Sequence, residues 1–422
     1  MKKAAKLLKT LCLSALSGII LAAAVGLYKF CAHHIIHFSE KGFALIRDNL
    51  WISPFVIAFL FLISLALAKI FKRCENLKGG GIPNAVLAAK GKKSLSPFLD
   101  TVGMFFLSLL SFLLGVPLGN EGPCVQMGAA LSSGVSKISH NDEDIKKECV
   151  AAGACAGFAA ATGAPIAGVA FLFDEISRRP KLRVLAGATV SALSCSIVLK
   201  SICPILGVEA ALLPRLALPA FSVNGIWIAA AVGIAFSVIA IGFLKLYKLL
   251  WKLYNNAFKK VETQYKIFFV LALSLAAGII SGDFISTGHS LSLELFSSGK
   301  ALTMLLAILL VRSFLTLSAN VNGLCGGTFV PIIAIGAVVA AGLGAGAAAI
   351  FGAEYYQLVM LLSITACIAG MMKMPMVSVF FALEILCPIE YIPCVVIAAA
   401  AAYLPVELLK VKSINEIIIE KK

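Results

Sequence analysis

Glu121 is the residue of this sequence with the clearest chemical purpose. It sits in Gly115-Val116-Pro117-Leu118-Gly119-Asn120-Glu121-Gly122-Pro123-Cys124-Val125-Gln126-Met127, a glycine- and proline-punctuated stretch between apolar segments long enough to lie in a bilayer. A carboxylate at the centre of a membrane helix costs about 2.5–3.5 kcal/mol, so one retained there is expected to face a polar route. Glycines let backbone approach a small ligand, and Pro123 suits a first helical turn, where its missing N–H is not needed. The stretch therefore predicts a helix N-terminus inside the membrane, whose free N–H groups and positive dipole end favour an anion. The competing structural reading is an acid that only interacts with its own helix dipole at a membrane surface.

The chain as a whole sets that acid in a membrane. Of 422 residues 60% are hydrophobic and only 14% charged, with a mean hydropathy of +0.98, which indicates an integral membrane protein. The net charge of +15 comes from basic clusters between apolar runs: Lys2 to Lys9, Lys69 to Lys78, Arg178 to Arg183 and Lys245 to Lys266. Such clusters read as cytoplasmic loops of a multi-pass protein of the cell membrane, with no nucleic-acid partner and with the N-terminus on the cytoplasmic side. The twelve cysteines are scattered and read as reduced packing residues. His33, His34, His37, His140 and His289 have no metal-ligand spacing, and no cofactor is expected.

Along the chain, Lys-rich residues 1–9 precede an apolar run from Leu11 to Leu27, read as a first span, with a signal peptide ending near Ala22-Ala23-Ala24 as the weaker reading. A second span covers about Trp51 to Phe71, and a third apolar segment, about Phe98 to Leu114, delivers Glu121. A helix then runs from Glu121 to about Val135, and a polar loop, His140 to Lys147, leads to a helix pair. The second helix of that pair carries Pro165 and ends in Asp174-Glu175 before Arg178 and Arg179. Both acids fit an interfacial salt bridge to Arg178, Arg179 or Lys181, the preferred reading for Asp174. In the second half Ala369, Pro375, Phe381 and Glu384 repeat Ala159, Pro165, Phe171 and Asp174 at the same offsets from the proline. Gly/Pro-interrupted segments at matching positions of two halves point to a midplane site between inverted repeats. Residues 245–266 read as the amphipathic end of a long helix joining the halves.

Three motifs in fixed order carry a family resemblance. Residues 119–123 resemble the Gly-(Arg/Lys)-Glu-Gly-Pro signature of the CLC family of chloride channels and chloride/proton antiporters. Gly79-Gly80-Gly81-Ile82-Pro83 is similar to its Gly-Ser-Gly-Ile-Pro, and Gly326-Gly327-Thr328-Phe329-Val330-Pro331 to its Gly-Gly-x-Phe-x-Pro. The resemblance implies an all-α polytopic fold of two inverted-topology repeats with many tilted or partially spanning helices. The expected organisation is one transmembrane transport domain over 1–422, with repeats near 50–200 and 225–405 and a short segment 406–422. The resemblance further implies a homodimer in the lipid bilayer, here in a short form without C-terminal CBS domains.

It also implies roles. Glu121 stands at the gating glutamate and Glu175, ten residues after Pro165, at the inner proton glutamate of the antiporters. Gly80, Gly81, Ile82, Glu121, Gly122, Thr328, Phe329 and Asn415 stand where the family binds its anion. Four residues depart from the pattern: Gly80 for a serine, Asn415 for a tyrosine, Asn120 for Arg or Lys, and Asn84 for an acid. Two lost hydroxyls at about 1.5–3 kcal/mol each would weaken a central anion site. Gly80 and Gly81 as plain packing glycines and Asn415 as a solvated residue are the bland alternatives. Chloride/proton antiport is the leading function, and a passive or loosely coupled anion channel for chloride, another halide or nitrate shares every motif. An enzyme is not expected, because neither a phosphate loop nor a nucleophile motif is present.

Overall fold

The computed structural model describes residues 2–139, 142–297 and 299–420, and its regular structure is helical throughout these; His140 lies outside them. In the first half the helices are α1 Lys2–Asp48, α2 Ser53–Arg73, α3 Ile82–Ala89, α4 Leu99–Leu113, α5 Glu121–Val135, α6 Glu143–Thr162, α7 Pro165–Phe171 and α8 Leu182–Ile205. In the second they are α9 Asn224–Ala257, α10 Thr263–Ile280, α11 His289–Ser297, α12 Leu302–Val321, α13 Phe329–Phe351, α14 Tyr355–Met371, α15 Pro375–Phe381, α16 Ile392–Leu408 and α17 Ile414–Ile419. Eight helical stretches are long and apolar enough to cross a membrane, while α4 and α14 are shorter apolar helices. The mixture of full spans and half-spans matches the expected fold class.

The first apolar run does not end where its hydropathy does. No proline follows Leu27 until Pro54, and a single glycine, Gly42, is tolerated, so α1 continues for 47 residues, about 70 Å. His33, His34 and His37 therefore lie on the helix and not after it. Leu21, Ala22, Val25 and Tyr28 are buried in the core, while Ala23, on the other side of the helix, is exposed.

Small residues let the central helices touch. A Cβ on Gly157 of α6 would sit 2.2 Å from the Cys124 carbonyl of α5, and one on Gly128 would sit 2.1 Å from that of Gly153. Backbones this close are how helices associate where no water drives them together. Start signals fix α6: Asp142 accepts the Ile145 N–H at 3.3 Å and meets Lys6 of α1 at 2.8 Å. Nine of the twelve cysteines are buried, and all twelve are free thiols, as their scatter suggested. Arg312 of α12, fully buried, donates to the carbonyls of Asp283, Ile285 and Ser286 at 2.7–2.9 Å. It ties down the loop between α10 and α11.

The repeat-related helices α7 and α15 cap each other. Each starts on its proline and ends in a π-helical turn, Leu172–Ile176 and Ala382–Leu386, that carries the acid. Glu384 accepts the N–H groups of Ile166 (3.0 Å) and Ala167 (2.9 Å), the orphan donors of α7. Asp174 accepts the Val377 N–H of α15 at 2.8 Å. This corrects the salt-bridge reading of Asp174: Arg178 pairs instead with Glu407 at 3.0 Å. A helix N-terminus half-buried beside the acid offers fixed donors, whereas the arginine at 178 is exposed to water.

Candidate functional site

The three glycine motifs meet at one point, held by backbone. Gly119 and Gly327 exchange hydrogen bonds, with Gly119 N–H donating to the Gly327 carbonyl at 2.7 Å and Gly327 N–H to that of Gly119 at 2.6 Å. Gly79 N–H donates to the Gly323 carbonyl at 2.9 Å, and the Cys325 thiol to that of Leu77 at 2.7 Å. Gly81 opens α3 with φ +88°, a conformation that favours glycine. A Cβ on Gly81 would lie 2.2 Å from the Gly122 carbonyl, and one on Gly122 only 1.7 Å from the Gly80 carbonyl. The N-termini of α3 and α5 are thus in backbone contact, and the Gly119–Gly327 bridge brings that of α13 beside them. Gly81, Ile82, Gly122, Thr328 and Phe329 are buried, and Gly80 is half-buried.

The Glu121 side chain occupies this junction. It is the first residue of α5 and has no solvent exposure. Its carboxylate faces the N–H groups of Glu121 itself and of Val330, in the first turns of α5 and α13. Neither oxygen reaches hydrogen-bonding geometry with a donor among the described residues. The packing is close: a Cβ on Gly119 would lie 2.5 Å from Oε2, and one on Gly327 3.2 Å. A negative group held by two helix N-termini stands where a small anion would be stabilised, so carboxylate and anion compete for the same dipoles. Phe329 is fixed beside it between Phe158 (5.1 Å between ring centroids) and Phe381 (5.6 Å), both edge-on.

Glu175 lies apart from this junction, in the wall of a cavity of about 760 Å³ whose lining also includes Lys90, Lys373, Lys412 and Glu416. Asn415 is buried, and its amide donates to Glu175 Oε1 at 2.9 Å, so it is not a solvated residue. A capping box sets Asn415 in place: Ser413 Oγ accepts the Glu416 N–H at 3.2 Å, and Glu416 Oε2 accepts that of Ser413 at 2.8 Å. The Ser-x-x-Glu spacing at 413–416 signals this motif. Lys373, which sequence reasoning overlooked, bridges Glu407 (2.9 Å) and Glu416 (3.2 Å) at the cavity wall. Asn84 donates to the Asn76 carbonyl at 2.8 Å and Gln126 Oε1 at 3.1 Å, joining α3 to α5, and accepts from the Lys93 ammonium at 2.9 Å.

A second cavity, about 510 Å³, is lined by Lys29, His33 and His37 of α1 together with Asn120, His289 and Val330. About 40 Å of helix separates Lys6, at the face shared with Asp142, from His33. The 760 Å³ cavity is lined by Lys90, which precedes the Gly91–Lys93 turn that lines a smaller cavity with Glu143 and Lys147 on the Asp142 face. The two large cavities thus open toward opposite faces, and the smaller one is lined by Asn120 and Val330 beside Glu121. No group of His, Cys, Asp and Glu able to hold a metal occurs among the described residues. Lys29 was not singled out from sequence, since no motif surrounds it.

The model of the family described as voltage gated chloride channel matches residues 59–407. The H(+)/Cl(-) exchange transporter ClcA of Vibrio cholerae is 30% identical over 343 residues, covering 77% of this chain and 70% of that one. The ClcA of Cronobacter sakazakii is 25% identical over 390 residues, 89% and 82% of the two chains. Among solved structures, a slow cyanobacterial Cl-/H+ antiporter superposes with a TM-score of 0.87 at 20% identity, over 98% of this chain and 97% of that one. A CLC-type fluoride/proton antiporter gives 0.76 at 19% identity, over 94% and 95%.

Proposed function

The chain belongs to the voltage-gated chloride channel family, and from that premise we propose that it exchanges chloride for protons, with Glu121 as gate and Glu175 as the second proton station. The observation that carries this reading is the Glu121 carboxylate, buried at the N-termini of α5 and α13 without a hydrogen-bond partner among the described residues. Ionised, it fills the anion position and closes the route. Protonated, it loses its attraction to the dipoles and yields the position to chloride, so chloride and the ionised carboxylate become alternatives at one site, and proton uptake by Glu121 accompanies anion entry. The backbone N–H groups of Gly81, Ile82, Gly122, Thr328 and Phe329 are then the anion's donors, with Gly80 beside them.

Glu175 favours exchange over a passive pore, because a second acid, half-buried in the cavity wall, has no use in simple anion conduction. Asn415 acts as its positioning partner. The N-terminus is read as cytoplasmic, since Lys6, Lys90 and Lys147 share the face of the larger cavity. We take residues 1–422 as one transport domain with repeats near 50–200 and 225–405, working as a homodimer in a cell membrane.

The test is proton movement driven by a chloride gradient in proteoliposomes. The wild type is expected to move protons uphill, while Glu121→Gln and Glu175→Gln retain chloride flux and lose proton movement. Chloride flux in the wild type without any proton movement would refute exchange.

A further inference from the structure

Asn120 leaves the position before the gate without a cation, yet a cation reaches the same place from another element. Lys29 of α1 is 9% exposed. Its ammonium donates one hydrogen bond, to the Ala210 carbonyl at 2.5 Å, and enters no ion pair among the described residues. It shares the wall of the 510 Å³ cavity with Asn120 and Val330, which flank the Glu121 carboxylate. The side-chain amide oxygen of Asn120, in the same cavity wall, is buried and accepts no hydrogen bond from the described residues. The acids of the same cavity, Glu40 and Glu209, are exposed at its rim. Glu40 is already engaged by Ser290 at 3.2 Å. The net effect is a cavity with negative charge at the mouth and one positive charge at its depth.

We propose that Lys29 is the anion-entry residue of this transporter, supplying from α1 the positive charge that Asn120 does not. It concentrates chloride at the inner end of the cavity, next to the position that Glu121 vacates. A buried ammonium with one carbonyl partner is expensive as a mere structural tie, because a neutral donor would bond Ala210 without the cost of burying charge. The inference rests on the exchanger reading, and the two fail differently.

The measurement is the initial rate of chloride flux in proteoliposomes holding the full chain, as a function of chloride concentration, at low and high ionic strength. Lys29→Met is expected to raise half-saturating chloride at least about fivefold at low ionic strength, the effect of a unit charge roughly 16 Å away at an effective dielectric constant of about 20, and more if it is nearer. High ionic strength is expected to narrow the difference. Lys29→Arg should stay near the wild type. Adding Asn120→Lys to Lys29→Met returns the charge without returning the bond to Ala210, and is expected to bring half-saturating chloride back. An unchanged value in Lys29→Met, or a defect that Asn120→Lys does not repair, overturns the proposal and makes Lys29 a structural tie. Should Lys29→Met not fold, Asn120→Lys in the wild type decides: half-saturating chloride falls if the cavity responds to cationic charge and stays constant if it does not. A wild type that carries no chloride at all would overturn the exchanger reading, and this inference with it.

Discussion

A Cβ at position 122 would lie 1.7 Å from the Gly80 carbonyl, well inside van der Waals contact, and neither backbone can retreat without dragging a helix N-terminus out of the site. Gly122→Ala is therefore expected to cost at least ~3 kcal/mol, the upper end of ordinary overpacking, since backbone and not a flexible side chain is in the way. Gly80→Ser is different in kind. Its Cβ would stand 3.1 Å from the Gly326 carbonyl and 3.9 Å from the Asn320 amide, which a shift of a few tenths of an ångström relieves. The serine is expected to fold and to add a hydroxyl donor beside the anion position, tightening anion binding by about one order of magnitude if the bond is worth ~1.5 kcal/mol. Thermal stability in detergent and isothermal titration with chloride check the pair. A Gly122→Ala protein as stable as wild type would mean that α3 and α5 are not in contact. At this scale the sequence was most informative, because glycine, proline and acid at these spacings have few physical uses. It was least informative about Lys29 and Lys373, whose roles depend on which helices lie beside them and on no local pattern.

The elements show why two short helices with few residues can be held so firmly. The acid closing α7 caps α15, and the acid closing α15 caps α7, so the repeats are joined through their own unsatisfied backbone. Glu384 satisfies two N–H groups and Asp174 one, and loss of a cap costs about 0.5–2 kcal/mol. Glu384→Ala is thus expected to destabilise the protein toward the upper end of that range and Asp174→Ala toward the lower. Because the acids cap different helices but belong to one packed pair, the double variant should lose at least the sum. Melting temperatures of the purified single and double variants report this, and equal losses from the two single changes would contradict the count of donors. The equal offsets from Pro165 and Pro375 made the pairing of Asp174 with Glu384 legible in the sequence. The bonds between them were not, since offsets relate residues within each copy and are silent on how the copies cross. The preference for Arg178 as a partner of Asp174 failed for the same reason: adjacency in sequence competes poorly with a helix terminus that the fold brings closer. The end of α1 was misjudged because loss of hydropathy is not loss of helix. Residues 28–48 turn more polar without a proline, and the helix continues.

For the whole molecule the relevant quantity is how strictly chloride and proton movements are tied. Coupling requires that the anion position be occupied either by chloride or by the ionised Glu121, with little time spent empty. The hydroxyl that a serine in place of Gly80 would bring to that position is missing. The structure removes one possible compensation: the Asn415 amide is committed to Glu175 at 2.9 Å. What remains for chloride is largely backbone N–H and helix dipole, worth about 0.3–1 kcal/mol per terminus and up to ~2 where partly buried. On the proposed reading, chloride held this weakly would leave before its proton partner arrives in some fraction of cycles. The expectation is slippage: the ratio of chloride to protons moved in proteoliposomes should vary with conditions, rising as chloride is lowered and the position stands empty longer. Gly80→Ser should hold the ratio more nearly constant across the same range, and Asn415→Leu, which frees Glu175 from its partner, should lower proton movement without a matching loss of chloride flux. Simultaneous recording of both ions over a hundredfold range of chloride gives the answer. One fixed ratio throughout would mean that backbone dipoles alone hold the anion tightly enough for full coupling, and that the missing hydroxyl sets the rate of exchange and not its fidelity.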